Sequence, residues 1–203
     1  SADLPKLSNG SYIVGGHGEK AWTKDNYNFN VKYNFDESKS LKYLYSRSES
    51  KSTYNNSFSY VKDASGKPVY NGIVKTQDGN TVSLATRNFL GTDNELVRDT
   101  HGLVYRDEDN KLTASFNYVN NKTDGFVSPT SRGDLGGDPS FNGEGEYSSH
   151  PGKVYDFDIE KAWENIGKHS ILLGANLKQE EMQQYRYKLA KWRDKDSITS
   201  PVS

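Results

Sequence analysis

Asn26-Tyr27-Asn28-Phe29-Asn30-Val31-Lys32-Tyr33-Asn34-Phe35-Asp36 is the stretch whose reading decides the fold. Tyr27, Phe29, Val31, Tyr33 and Phe35 fall on every second position, with Asn28, Asn30, Lys32 and Asn34 between them. A period of two puts the two sets on opposite faces of a β-strand, one greasy and one wet. Asp36-Glu37-Ser38-Lys39 carries the polar chemistry of a turn, and Leu41, Tyr43 and Tyr45 then resume the alternation on a returning strand. The reading is a β-hairpin, and the question of function becomes what its apolar face touches.

Outward from this hairpin the plan repeats. Leu103 and Tyr105 alternate up to Asp107-Glu108-Asp109-Asn110, and Leu112, Ala114, Phe116 and Tyr118 alternate away from it. Tyr155, Phe157 and Ile159 climb to a turn at 164–168, from which Ile171, Leu173, Ala175 and Leu177 descend. The connections between hairpins are long, polar and rich in Gly, Ser and Asn, with turn signals at 63–68 and 77–80. The expected organisation is one β region over residues 1–203. It has hairpins at about 26–48, 100–119 and 153–178 and long loops at about 50–95, 120–152 and 179–203. Residues 179–193 have possible helical spacing, and Tyr185, Tyr187, Leu189 and Trp192 fit a continuing strand as well.

Composition narrows the classes. Only 33% of the 203 residues are hydrophobic and the mean hydropathy is strongly polar, so a large dry core is not written here. A net charge of -1, from 26 basic and 27 acidic residues, sets aside a nucleic-acid binder. Aromatic residues make up 12% against a single Met, which favours strands and interfaces. Without cysteine there is no disulfide, thiolate metal site or Cys nucleophile. The opening Ser-Ala-Asp-Leu-Pro is no export leader, and no apolar run is long enough for a spanning helix. A membrane-spanning barrel stays open, because its strands alternate and never form such runs. Short turns at one end and long loops at the other are the plan of an outer-membrane barrel, while a soluble antiparallel sheet with one wet face has the same alternation.

Residues 26–36 with 40–48 resemble an early barrel hairpin of the TonB-dependent receptors of the Gram-negative outer membrane. Residues 161–176, Lys161-Ala162-Trp163 through Gly167-Lys168-His169 to Gly174-Ala175-Asn176, are similar to hairpins of that family in which a Gly-Lys-His turn opens a strand. Neither a plug domain nor a closing strand is recognised in this sequence, so the resemblance implies antiparallel hairpins belonging to a segment of a larger transmembrane β-barrel. It further implies an outer-membrane location, contact with lipid, import of a scarce small-molecule nutrient such as a metal chelate, and coupling to TonB through a plug carried elsewhere. The competing expectation is a soluble or surface-attached β-domain, periplasmic or on the cell surface, that binds a glycan or protein partner through aromatics such as Tyr54, Tyr60, Tyr70 and Tyr147.

No signature of catalysis is found: the P-loop, dinucleotide fingerprint, zincin helix, nucleophile elbow and EF-hand patterns are missing. His17, His101, His150 and His169 have no ligand spacing. Asp156, Asp158 and Glu160 share one strand face and read as a solvated face rather than an acid pair. The expectation is therefore a non-enzyme without cofactor or metal. Ligand contacts are expected on the Gly-rich loop, where Arg132, Asp134, Asp138, Glu144 and Tyr147 combine charge and aromatic surface.

Overall fold

The structure, a computed structural model, describes residues 4–130 and 143–202. Its strands in chain order are β1 (Gly15–Gly16), β2 (Glu19–Asn34), β3 (Lys39–Asn55), β4 (Phe58–Ser59), β5 (Gly72–Lys75), β6 (Thr81–Leu84), β7 (Asp93–Asp107), β8 (Leu112–Pro129), β9 (Gly145–Ser149), β10 (Gly152–Ile166), β11 (His169–Met182), β12 (Tyr185–Leu189) and β13 (Ile198–Pro201). Among the described residues the only helical pieces are short 3-10 turns at Thr86–Phe89 and Lys195–Ser197, so 179–193 is strand and loop, not helix.

The long strands form one antiparallel sheet in the order β2-β3-β7-β8, beyond which β9 and β10 lie end to end along β8. β11 and β12 lie end to end beside them, and β13 pairs with β12. The break between β9 and β10 falls at His150-Pro151, where proline has no amide to give to the ladder. The chain crosses it in step, the Gln183 amide donating to the Pro151 carbonyl at 2.9 Å. With β9–β10 and β11–β12 each counted as one interrupted strand, the long strands of this sheet follow one another in chain order, an up-and-down meander, while β1–β4 and β5–β6 form two small sheets of their own. The pairing slips by one residue between Val97↔Thr123 and Arg98↔Asn121, which leaves Lys122 as a bulge on β8. Within this chain the sheet stays open and does not close into a barrel.

The short turns gather at one end, as the alternation predicts. The Glu108 amide of the second turn donates to the Ser38 carbonyl of the first at 2.9 Å, and Ala162 donates to Lys111 at 3.0 Å. The Asp36 carboxylate organises the first turn, accepting from the Ser38 amide at 2.9 Å, the Ser38 hydroxyl at 3.0 Å and the Lys39 amide at 2.7 Å. These donors, the Ser38 amide foremost, hold its pKa down at about 2.

The opposite end carries the long connections, and both described hydrophobic clusters lie there. Val61, Tyr70, Leu84 and Phe89 of the 56–92 connection form one small core with Leu4 of the N-terminal segment, Leu84 coming from the β5–β6 hairpin. Tyr70 is therefore a core residue, its ring edge-on to Phe89. Leu90, Val127, Leu189 and Trp192 form the other core. Trp192 sits where a side chain at Gly145 would be: a Cβ there would lie 2.3 Å from the Trp192 Cβ, so the segment after β12 can seat on β9 only over glycine.

The hairpins run farther than expected. Residues 50–55 and 93–95, assigned to a loop by the sequence pattern, are strand, and so are 120–129, 145–149, 179–182, 185–189 and 198–201. In the extensions of β2, β3 and β7 both faces are largely polar, so strand is present while the period of two disappears.

Two outcomes follow from these contacts. Trp192→Ala should cost the loop-end core about 3–5 kcal/mol, read as faster amide exchange in β9 and β12 with exchange in β10 and β11 unchanged. Because the folded Asp36 pKa is depressed, its contribution is complete above the ordinary carboxylate pKa of about 3.9 and is lost as pH falls through about 2. Protection of the Ser38 and Lys39 amides should follow that window, and Asp36→Asn should weaken it at neutral pH.

Candidate functional site: a two-faced wall and its mouth

The register extends the alternation of β2 across the whole sheet. Val31 faces Tyr43, which faces Leu103, then Phe116, Phe157 and Leu177, all on one face. One row toward the loops lie Phe29, Tyr45, His101, Tyr118 and Tyr155; one row toward the turns lie Tyr33, Leu41, Tyr105, Ala114, Ile159 and Ala175. This outer face is an unbroken apolar band. Phe116, in the middle of the sheet, is 41% exposed, Val31 48% and Leu177 71%, so no second layer covers the band among the described residues.

Aromatic rings border the band. On the loop side Tyr45, His101, Tyr118 and Tyr155 run in a chain with centroids 5.1–5.8 Å apart. On the turn side Tyr33 and Phe35 meet edge-on, Tyr105 lies in the row of Tyr33, and Trp163 lies two rows farther toward the turns. The hydroxyls of the two borders point away from each other. Tyr45 Oη donates to Asp99 at 3.3 Å on the loop side, and Tyr105 Oη reaches Asp107 at 3.5 Å on the turn side. Tyr27 to Phe35 spans about 26 Å of strand at 3.3 Å per residue, or about 20 Å of height at a barrel tilt near 40°, close to the ~25 Å apolar band of outer-membrane barrels.

The other face is wet. Asn28, Asn30, Lys32 and Asn34 continue into Lys42, Ser46, Thr100, Arg106, Ser115, Asn117, Asp156 and Asp158. Asn176 donates to Asp156 at 2.7 Å, and Lys178 stands opposite Asp156. Asp156, Asp158 and Glu160 do share this face, and no group of His, Asp or Glu among the described residues is placed to hold a metal ion. At the loop end of the inner face Lys20, Trp22, Ser52, Asn94, Asp124 and Phe126 line a cavity of about 350 Å³, with His150 stacked on Phe126 at 6.2 Å. Trp22 is 67% exposed there, an aromatic surface free for a ligand. These residues went unmarked in the sequence because they lie beyond the alternating stretch.

On the outer face above the band the segment after β12 straps back over the sheet. Arg193 Nε meets Asp93 at 2.9 Å and its Nη2 donates to the Tyr54 carbonyl at 2.6 Å, while Lys195 pairs with Glu95. The cavity of about 210 Å³ between strap and sheet is lined by these paired charges, so it reads as a structural seam.

Of the residues expected to contact ligand, Arg132, Asp134 and Asp138 lie outside the described residues. Glu144 is exposed, its carbonyl accepting from the Thr130 amide at 3.0 Å. Tyr147 lies on the outer face against the Trp192 cluster, with Lys195 Nζ 4.9 Å from its ring centroid. Glu144 and Tyr147 thus flank Gly145 at the start of β9, and the structure places Tyr147 in packing.

No family model matches the sequence, no curated protein matches it, and no solved structure matches the fold.

The two faces give a paired test on one strand. Phe116→Arg should impair folding in lipid by about 2–4 kcal/mol, whereas Asn117→Arg, its neighbour on the wet face, should be tolerated. Heat-modifiable electrophoretic mobility after refolding into vesicles reads the difference, and equal tolerance at the two positions would refute the assignment of faces.

Proposed function

We propose that this sheet is a sector of the wall of an outer-membrane β-barrel, and that the protein it belongs to is a TonB-dependent receptor importing a scarce nutrient such as a metal chelate. The observation that carries the membrane reading is the uncovered apolar band, bordered on both sides by aromatics whose hydroxyls point away from it, on a sheet whose opposite face is charged. A soluble sheet would bury such a face under a second layer. A bilayer requires it bare, with amphipathic rings at both interfaces.

In this reading the exposed edges of β2 and β11 pair with further strands, since lipid leaves no main-chain group without a partner. The bulk of the long strands beyond the band stands above the membrane. The loop-end cores hold the outer connections, and the segment holding Arg132, Asp134, Asp138 and Glu144 joins the capture surface around the mouth. The resemblance of residues 26–48 and 161–176 to receptor hairpins supports the narrower assignment to the TonB-dependent class. A plug coupled to TonB then gates the lumen, and no residue of the wall is assigned a catalytic role.

These 203 residues contain no cysteine, so a single cysteine introduced in this sheet has no competing thiol within it. Nitroxides at Leu103, Phe116 and Phe157 in the membrane-reconstituted full-length protein should be accessible to oxygen and shielded from a water-soluble nickel complex, with the reverse at Ser115 and Asp158. Shielding from both reagents at the first three positions would mean that a protein layer covers the band, which is the soluble β-domain outcome. Uptake of the nutrient should cease in cells lacking TonB; uptake that persists would remove the receptor assignment while leaving the barrel.

A further inference from the structure

Sorted by face, the charged side chains of β2, β3 and β7 are of one sign on the inner face and of both signs on the outer. The inner face carries Lys20, Lys24, Lys32, Lys42, Arg98 and Arg106, and no Asp or Glu occupies an inner position on these three strands. Their carboxylates, among them Asp25, Glu49, Glu95 and Asp99, all lie on the outer face. Of the outer cations on these strands Lys39 and Arg47 are paired with carboxylates, and Lys51 is not among the described residues. Lys39 engages Asp36, Arg47 engages Glu49 and Asp99, and Lys195 from the strap engages Glu95.

The inner cations have no such partners. Lys24, Lys32, Lys42 and Arg106 form no ion pair among the described residues, Arg98 donates only to the neutral Asn121 carbonyl at 2.6 Å, and Lys20 lies over the Tyr54 ring. Lys32 and Lys42 stand directly opposite each other on adjacent strands, an arrangement that costs stability because like charges face one another with Cβ atoms about 5 Å apart. Arg106 follows one row toward the turns, on the strand paired with β3. Around them Asn28, Asn30, Asn34, Ser46 and Ser48 offer hydrogen-bond donors.

Height matters as much as sign. From Lys20 to Lys32 is about 40 Å of strand, from the mouth cavity to the level of the apolar band, so the cations line the length of the wall rather than one spot. A single docked acidic element would need one patch; a solute moving along the wall meets a ladder. Cationic linings of this kind select anions by raising their local concentration and replacing part of their hydration.

We infer that the inner wall formed by β2, β3 and β7 binds and guides an anionic solute, one bearing several carboxylate, phosphate or sulfate groups. This rests on the barrel reading and specifies its cargo: a metal chelate carried here has net negative charge.

The test uses the full-length protein in detergent, with citrate and pyrophosphate as probes and spermidine as the cationic control, each titrated calorimetrically at low and high salt. Citrate and pyrophosphate should bind, more weakly as salt rises, and spermidine should not. Replacing Lys32, Lys42 and Arg106 with Gln should weaken anion binding by at least roughly tenfold, the loss expected when even one charge-assisted contact is removed. Lys153→Gln on the outer face should change nothing. Far-ultraviolet dichroism and heat-modifiable mobility establish that the triple variant is folded, and relief of the Lys32–Lys42 repulsion favours its folding. No anion binding by the folded wild-type protein, equal binding of spermidine, or an unchanged affinity in the triple variant overturns the inference. So does a triple variant whose interior becomes protease-sensitive while the wild type ignores both probes, since the cations then hold an acidic segment of the protein itself. In all of these the barrel stands; only the nitroxide measurement on the outer face can remove it.

Discussion

The main-chain ladder is what the rest of this molecule depends on. The two hydrophobic clusters among the described residues are small and both lie at the loop end, so the long strands through the apolar band are held by cross-strand hydrogen bonds and by side chains meeting across the register. A one-residue slip would turn every apolar side chain onto the wet face. Three features fix the register against such a slip: the Asp36 turn, the hydrogen bond from Glu108 to Ser38 that ties neighbouring turns together, and the Lys122 bulge.

This constraint explains how much could be read from the residues. Where one face of a strand meets an apolar environment and the other meets water, the sequence must alternate, and there the hairpins, their turns and their common polarity were legible. Beyond Ser46 on β3 and Asn120 on β8 that demand lapses, and charged residues such as Arg47, Glu49 and Lys51 stand on the outer face opposite the serines of the inner one. Strand then persists because the ladder continues, and nothing in the pattern marks where it ends. The mouth was the least legible part. Trp22, Phe126 and His150 converge only through pairing across β2, β3, β7 and β8, and no local motif records that.

Tyr147 shows the limit of reasoning from composition in a loop. It sits in a Gly-rich stretch and reads as an exposed contact residue, yet it stands in the middle of β9, whose outer face is taken by the strap carrying Trp192 and Lys195. The informative signal was Gly145, a residue small enough to admit Trp192, but that meaning depends on a tryptophan far along the chain. Charge was legible by amount and illegible by arrangement. A near-neutral total conceals charged inner positions that are all cationic on β2, β3 and β7 and acidic on β10, and only the register sorts them.

Strict alternation also separates two kinds of evolutionary freedom. On each long strand of the sheet, odd and even neighbours answer to different demands: one set to the apolar face, the other to the wet one. A substitution at Asn30 or Lys42 can retune the lining without touching Val31 or Tyr43, which secure the fold. Such a sheet can change its wet face by single steps while its architecture stays fixed, a modularity that interdigitated cores do not have because each of their side chains serves both ends.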